Sequence, residues 1–236
     1  MSRGSRAAAT LAVVACALLP LAAGCGALKQ VGAGSHTPPA STFTVTARVS
    51  TVVIDGGASS ITVTGSDRDT VLVSEQLSYT KTPPTTSRQL AGSTLTLTYS
   101  CTAQLVCGVA YDVQVPLTVA VTVRTRAGAI TLTGLGGPVS AQTDAGLITA
   151  WGLSSPTAEL KSNAGGIDAA FSVAPASVAA STNVGPITLT VPGSVSYKVS
   201  THTFVGSSTV TVRKSAASSH VINASSDLGS ITISPS

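Results

Sequence analysis

Ala127-Gly128-Ala129-Ile130-Thr131-Leu132 returns little altered as Ala145-Gly146-Leu147-Ile148-Thr149-Ala150, and again as Ala164-Gly165-Gly166-Ile167-Asp168-Ala169. With glycine as the marker, the copies fall at Gly128, Gly146, Gly165, Gly185, Gly206 and Gly229, spaced by 18, 19, 20, 21 and 23 residues. Isoleucine follows two residues later in five of the six: Ile130, Ile148, Ile167, Ile187 and Ile231. Self-similarity at such a period marks a solenoid. The expected fold is all-β, a single β-helix-like β-solenoid with coils of 18–23 residues over 121–236.

The other columns support this. Seven residues before each glycine stand Val121, Val139, Ala158, Val178, Val199 and Ile222, and five before stand Val123, Ala141, Leu160, Ala180, Thr201 and Ala224. Four after stand Leu132, Ala150, Ala169, Leu189, Val210 and Ile233. Apolar and polar positions alternate, the period of a strand with one buried face. Each coil therefore offers two short strands, and neighbours must stack to bury them. Three before the glycine, Thr125, Thr143, Ser162, Thr182, Thr203 and Ser226 predict a hydroxyl ladder, bonded within itself or to turn backbone. The glycine marks a bend that needs positive φ or close approach. Pro138, Pro156, Pro175 and Pro192 mark further corners.

Upstream, Val52, Ile54, Ile61 and Val63 occupy the same offsets around Ser59, a degenerate copy. Residues 67–119 break the pattern with strand-like runs Val71–Tyr79, Thr94–Ser100 and Ala110–Val115. They are expected to be an antiparallel insert near the N-terminal end of the domain that covers one end of the stack. The other end looks poorly capped, because Ile231 and Ile233 lie within the last six residues. Cys101 and Cys107 sit in the insert, with no histidine or second cysteine pair nearby, so a disulfide is favoured over a metal site. Its short loop limits the entropic gain to roughly 2–3 kcal/mol.

The N-terminus has the parts of an export signal over residues 1–24: Arg3 and Arg6, an uncharged run from Ala7 to Gly24, then small residues before Cys25. Leu21-Ala22-Ala23-Gly24-Cys25 resembles the lipobox of bacterial lipoproteins, although Ala22 stands where leucine is commoner. The resemblance implies diacylglyceryl transfer to Cys25 and cleavage before it. Two other readings stand beside it: an uncleaved 18-residue run long enough to span a bilayer, and secretion after an Ala-x-Ala-like site. Cys16 is a poorer lipobox, since cleavage there leaves Ala17 to Gly24 as an apolar stub. Residues 25–41 read as a lipidated tether, and 42–236 as the β-solenoid domain.

Lipobox and G-x-I-T-L coils together resemble the β-strand-repeat domains of unknown function known as putative adhesins in bacterial envelopes. That resemblance implies an extracytoplasmic β-solenoid with an adhesive or structural role, and it carries no catalytic motif. Without Arg3 and Arg6 the formal charge falls from +4 to +2, which gives no case for nucleic acid. The three histidines have no metal-ligand spacing, and the residue after each repeat isoleucine includes one aspartate, Asp168, too few for a calcium ladder. Asp144, Glu159 and Asp168 take different offsets, against a catalytic carboxylate pair. No catalytic residue, metal or cofactor is expected.

Candidate ligand contacts are few. Arg124 and Arg126 make the densest basic spot, which also reads as solvated strand charge. Trp151 is placed to stack on a sugar or to pack under a corner loop. The expected protein is a non-enzymatic lipoprotein on the extracytoplasmic face of the cell membrane. Cell-wall polymer, carbohydrate or another envelope protein would be its partner. A carbohydrate-active envelope enzyme and an envelope stress-sensing module are the alternatives.

Overall fold

The computed structural model describes residues 34–236; the expected signal peptide, Cys25 and the first part of the tether lie outside the described residues. The upstream strands are β1 (Ser41–Val45), β2 (Thr51–Asp55), β3 (Ile61–Ser66), β4 (Val71–Tyr79), β5 (Thr85–Ala91), β6 (Thr94–Ser100) and β7 (Cys107–Pro116). The central ones are β8 (Ala120–Ala127), β9 (Ile130–Thr133), β10 (Val139–Ala145), β11 (Ile148–Leu153), β12 (Thr157–Ala164) and β13 (Ile167–Phe171). Then follow β14 (Ser177–Val184), β15 (Ile187–Val191), β16 (Lys198–Val205), β17 (Ser208–Val210), β18 (Val221–Leu228) and β19 (Ile231–Pro235).

These 19 strands form two mixed sheets that do not close into a barrel, and the described residues contain no helix. The first sheet runs β1-β4-β7-β3-β9-β11-β13-β15-β19-β17, the second β16-β18-β14-β12-β10-β8-β2-β6-β5. From β8 to β15, successive strands alternate between the sheets, and each is parallel to its neighbours. The sequence columns become registers: Val121, Val139, Ala158 and Val178 are mutual neighbours, as are Ile130, Ile148, Ile167 and Ile187. All eight are buried in one continuous core between the sheets. Each isoleucine buried there contributes about 1.5–3 kcal/mol before entropy is counted.

The glycine column is a line of close backbone approach. A Cβ on Gly146 would lie 2.1 Å from Gly128 O, and one on Gly165 would lie 2.0 Å from Gly146 O. Their φ values, +158° and +149°, are also closed to other residues. Ser59 does hold the glycine position in its copy, since Gly128 approaches the Ser59 carbonyl. The hydroxyl column donates to this line rather than within itself. Thr143 bonds Gly128 O at 3.3 Å, Ser162 bonds Gly146 O at 3.0 Å, and Thr182 bonds Gly165 O at 2.8 Å. Ser226 and Thr203 do the same to Gly185 O and Gly229 O, each at 2.9 Å. Glycine thus brings the turns together, and the hydroxyl satisfies the carbonyl that this leaves inside.

Spatial order departs from chain order at both ends. The last copy, β18–β19, lies between β14–β15 and β16–β17, so Ile231 and Ile233 are fully buried and the expected bare end is corrected. The fifth copy is terminal instead. There Thr201 and Ser208 replace the apolar residues of the inward columns and bond each other, Ser208 Oγ to Thr201 Oγ1 at 2.9 Å. At the other end, β6 and β7 pair in parallel with β2 and β3, adding Leu95, Leu97, Tyr111 and Val113 to the columns. Part of the expected insert is therefore a repeat, whose corner is the Cys101–Cys107 loop in place of glycine. The antiparallel strands are β1, β4 and β5.

Glu75 on β4 turns inward at this end, 1% exposed, and takes a two-pronged contact from Arg88 of β5, whose Nη2 lies 2.8 Å from Glu75 Oε2. The guanidinium lies over the Phe43 ring, 3.5 Å from its centroid. Both ends of the core thus finish in satisfied polar groups. The end of the tether is docked as well: His36 pairs with Tyr79, and Gln76 Nε2 donates to Pro38 O.

Candidate interaction site

At the β6–β7 corner a loop stands where the regular copies carry glycine. Residues 101–107 project from the β6–β7 corner beside the β2–β3 turn, closed by the Cys101–Cys107 disulfide, S–S 2.05 Å. Gln104 fixes the loop to its neighbour. Its Oε1 accepts from the backbone N–H of Lys81 at 2.8 Å and of Thr80 and Thr82 at 3.2 Å, while its Nε2 donates to Thr82 O at 2.7 Å. Leu105 at the tip is 87% exposed.

Between this loop and the outer face of the second sheet lies a groove of about 700 Å³. Its floor is made by register. Asp55 on β2 is the neighbour of Arg124 on β8, and Arg124 is the neighbour of Gln142 on β10. Arg126 and Asp144 stand two residues further along the same strands, on the same face. Tyr99 makes a wall, its hydroxyl accepting from Ala58 N at 3.0 Å. Gly57, at φ +54°, makes room for that hydroxyl; a Cβ would lie 2.6 Å from it.

Among the described residues the one ion pair is Glu75–Arg88, so Asp55, Arg124, Arg126 and Asp144 share the groove without pairing. The two carboxylates stand on strands separated by β8 and two residues apart along the strand direction, about 12 Å between backbones. Two arginines intervene. The floor is alternating charge. Tyr111, in the core behind the groove, donates to Thr98 O at 3.2 Å; burial, and next Glu75, push its pKa up.

The expected contacts separate. Arg124 and Arg126 meet the disulfide loop in the groove, whereas Trp151 lies on the outer face of the first sheet, 47% exposed, beside Thr133. It precedes Gly152, at φ +63°, where the register shifts between Ala150 and Leu153. Asp168 is on that first sheet too, and Glu159 is on the second but outside the groove. Asp55 was missed as a site residue, yet its offset of four before Ser59 is that of Arg124 before Gly128. His36 stacks on Tyr79, and His220 Nδ1 lies 2.8 Å from Pro175 O. Among the described residues no three His, Cys, Asp or Glu side chains gather as a metal site.

The sequence matches no family model and no curated protein. Among solved structures, a putative cell adhesion protein from Clostridium sporogenes is 12% identical, with a TM-score of 0.45 covering 84% of this chain and 100% of its own. A putative adhesin from Bacteroides fragilis is 13% identical, with a TM-score of 0.41 covering 84% of this chain and 97% of its own.

Proposed function

We infer that the protein is a non-enzymatic, adhesin-like interaction module: a β-solenoid held at the extracytoplasmic face of the cell membrane by a lipid on Cys25. The observation that carries this reading is the groove, where a disulfide-closed loop overhangs four charged side chains that make no ion pair with one another. Charges set in register on one sheet, with no ion pair among them, suit recognition of a partner. A disulfide suits an oxidising compartment, and the lipobox-like Leu21–Cys25 supports the anchor. Cell-wall polymer or another envelope protein is the partner class.

Two measurements test this. Intact mass of the membrane-extracted protein should show a lipid adduct on an N-terminal Cys25; unmodified protein recovered wholly in the medium rejects the anchor. The full chain should retain envelope material that the R124E/R126E variant does not. Equal retention by both rejects the groove as the contact site.

A further inference from the structure

We propose that the groove under the Cys101–Cys107 loop binds a short extended peptide segment carrying both an acidic and a basic side chain. The inference rests on the reading of the groove as a contact site and names what the site takes. Its floor alternates in sign across the strands: Asp55 on β2 stands beside Arg124 on β8, and Asp144 on β10 stands beside Arg126 on β8. A ligand of a single sign meets two attractions and two repulsions there. A neutral glycan offers hydroxyls to these four groups but no opposite charge, and so only the weaker class of hydrogen bond. Only a ligand with both signs satisfies both pairs, guanidinium taking carboxylate in a two-pronged bond and aspartate taking ammonium.

Apolar contacts favour a peptide as the carrier of those charges. Leu105 at the loop tip is 87% exposed and faces the groove with Tyr99. Next to the groove, the residues that follow Arg126 and Asp144, Ala127 and Ala145, begin an exposed apolar row that runs on through Ala164 and Val184, in register from strand to strand. Apolar side chains and both charges on one backbone are the chemistry of a polypeptide. Crossing β2, β8 and β10 spans about 10 Å, the reach of about three extended residues. The volume of about 700 Å³ is ample for that.

The test uses the full chain in detergent and capped synthetic peptides, with calorimetry as the readout. Ala-Glu-Ala-Lys-Ala should bind at least tenfold tighter than Ala-Glu-Ala-Glu-Ala, Ala-Lys-Ala-Lys-Ala or a neutral glucan oligomer. R124E/R126E makes the floor wholly acidic and should transfer the preference to the lysine peptide. Leu105→Ser, at an exposed tip outside the core, should weaken the mixed peptide several-fold. The proposal is overturned if a single-sign peptide or the glucan binds as well as the mixed one, if nothing binds, or if both variants leave binding unchanged. If peptides fail while envelope material is still lost with R124E/R126E, the peptide assignment falls and the contact site stands.

Discussion

Replacing Gly165 by alanine perturbs the corner line at one point. The new Cβ would lie 2.0 Å from Gly146 O and 2.6 Å from Gly146 C, with Ser162 Oγ at 3.1 Å. None of these has room to withdraw. Gly146 O already accepts from Ser162 Oγ at 3.0 Å, and the Gly165 N–H donates to Val184 O at 2.7 Å. Holding alanine at φ +149° costs about 1–3 kcal/mol. Forcing a methyl into a closed contact costs about 1–3 kcal/mol more. The sum is about 2–6 kcal/mol, and its middle lowers Tm by about 8–16 °C for a domain of this size. Gly152→Ala is the matched control: φ is +63°, but nothing lies within 4 Å of the added carbon. It carries only the conformational cost, about 1–2 kcal/mol. Urea melts of the full chain and both variants should separate them by about 1–3 kcal/mol. Equal losses would refute the claim that close approach dictates the glycines.

Deleting Val221–Ser236 should cost two repeats rather than one, because β16 and β17 pair only with β18 and β19. Hydrogen exchange would then show lost protection over 198–205, and persistent protection there contradicts the order of repeats. Stability should also fall in alkali. Burial raises the Tyr111 pKa above its ordinary 10.0, so the folded chain holds that proton more tightly than the unfolded one. The contribution is complete below about pH 10 and is lost as pH climbs toward the folded value. Between pH 9 and 11, Tyr111→Phe should lose less of its urea midpoint than the parent; equal slopes would contradict this.

Repeat-end chemistry explains why the last two copies exchange places. With the fifth copy inside, Thr201 and Ser208 would face apolar columns on both sides. With the sixth copy at the end, Ile231 and Ile233 would meet water. Both costs are avoided in the observed order, where Thr201 and Ser208 bond each other at the open end and the isoleucines are fully buried. The same logic places Glu75 and Arg88 at the opposite end, where the buried carboxylate meets its partner at once. Hydroxyls and an ion pair therefore finish a core that is otherwise continuous.

Alternation and period alone determined the inward columns, the corner glycines and the hydroxyl row, because each is a local demand repeated in every copy. Even the terminal repeat had left a trace: two residues after the repeat glycine, where isoleucine is the rule, Gly206 has Ser208. What that exception meant was decided by tertiary structure. Near-identical copies can pair in any order by local propensity, and burying Ile231 and Ile233 in place of Thr201 and Ser208 favours the observed arrangement. The repeat within 67–119 was hidden because a disulfide loop stands at its corner in place of glycine. The groove followed from that: Arg124 and Arg126 were visible as a basic spot, but β2 beside β8, and the β6–β7 corner loop overhanging both, had to exist before Asp55, Asp144 and Leu105 joined them.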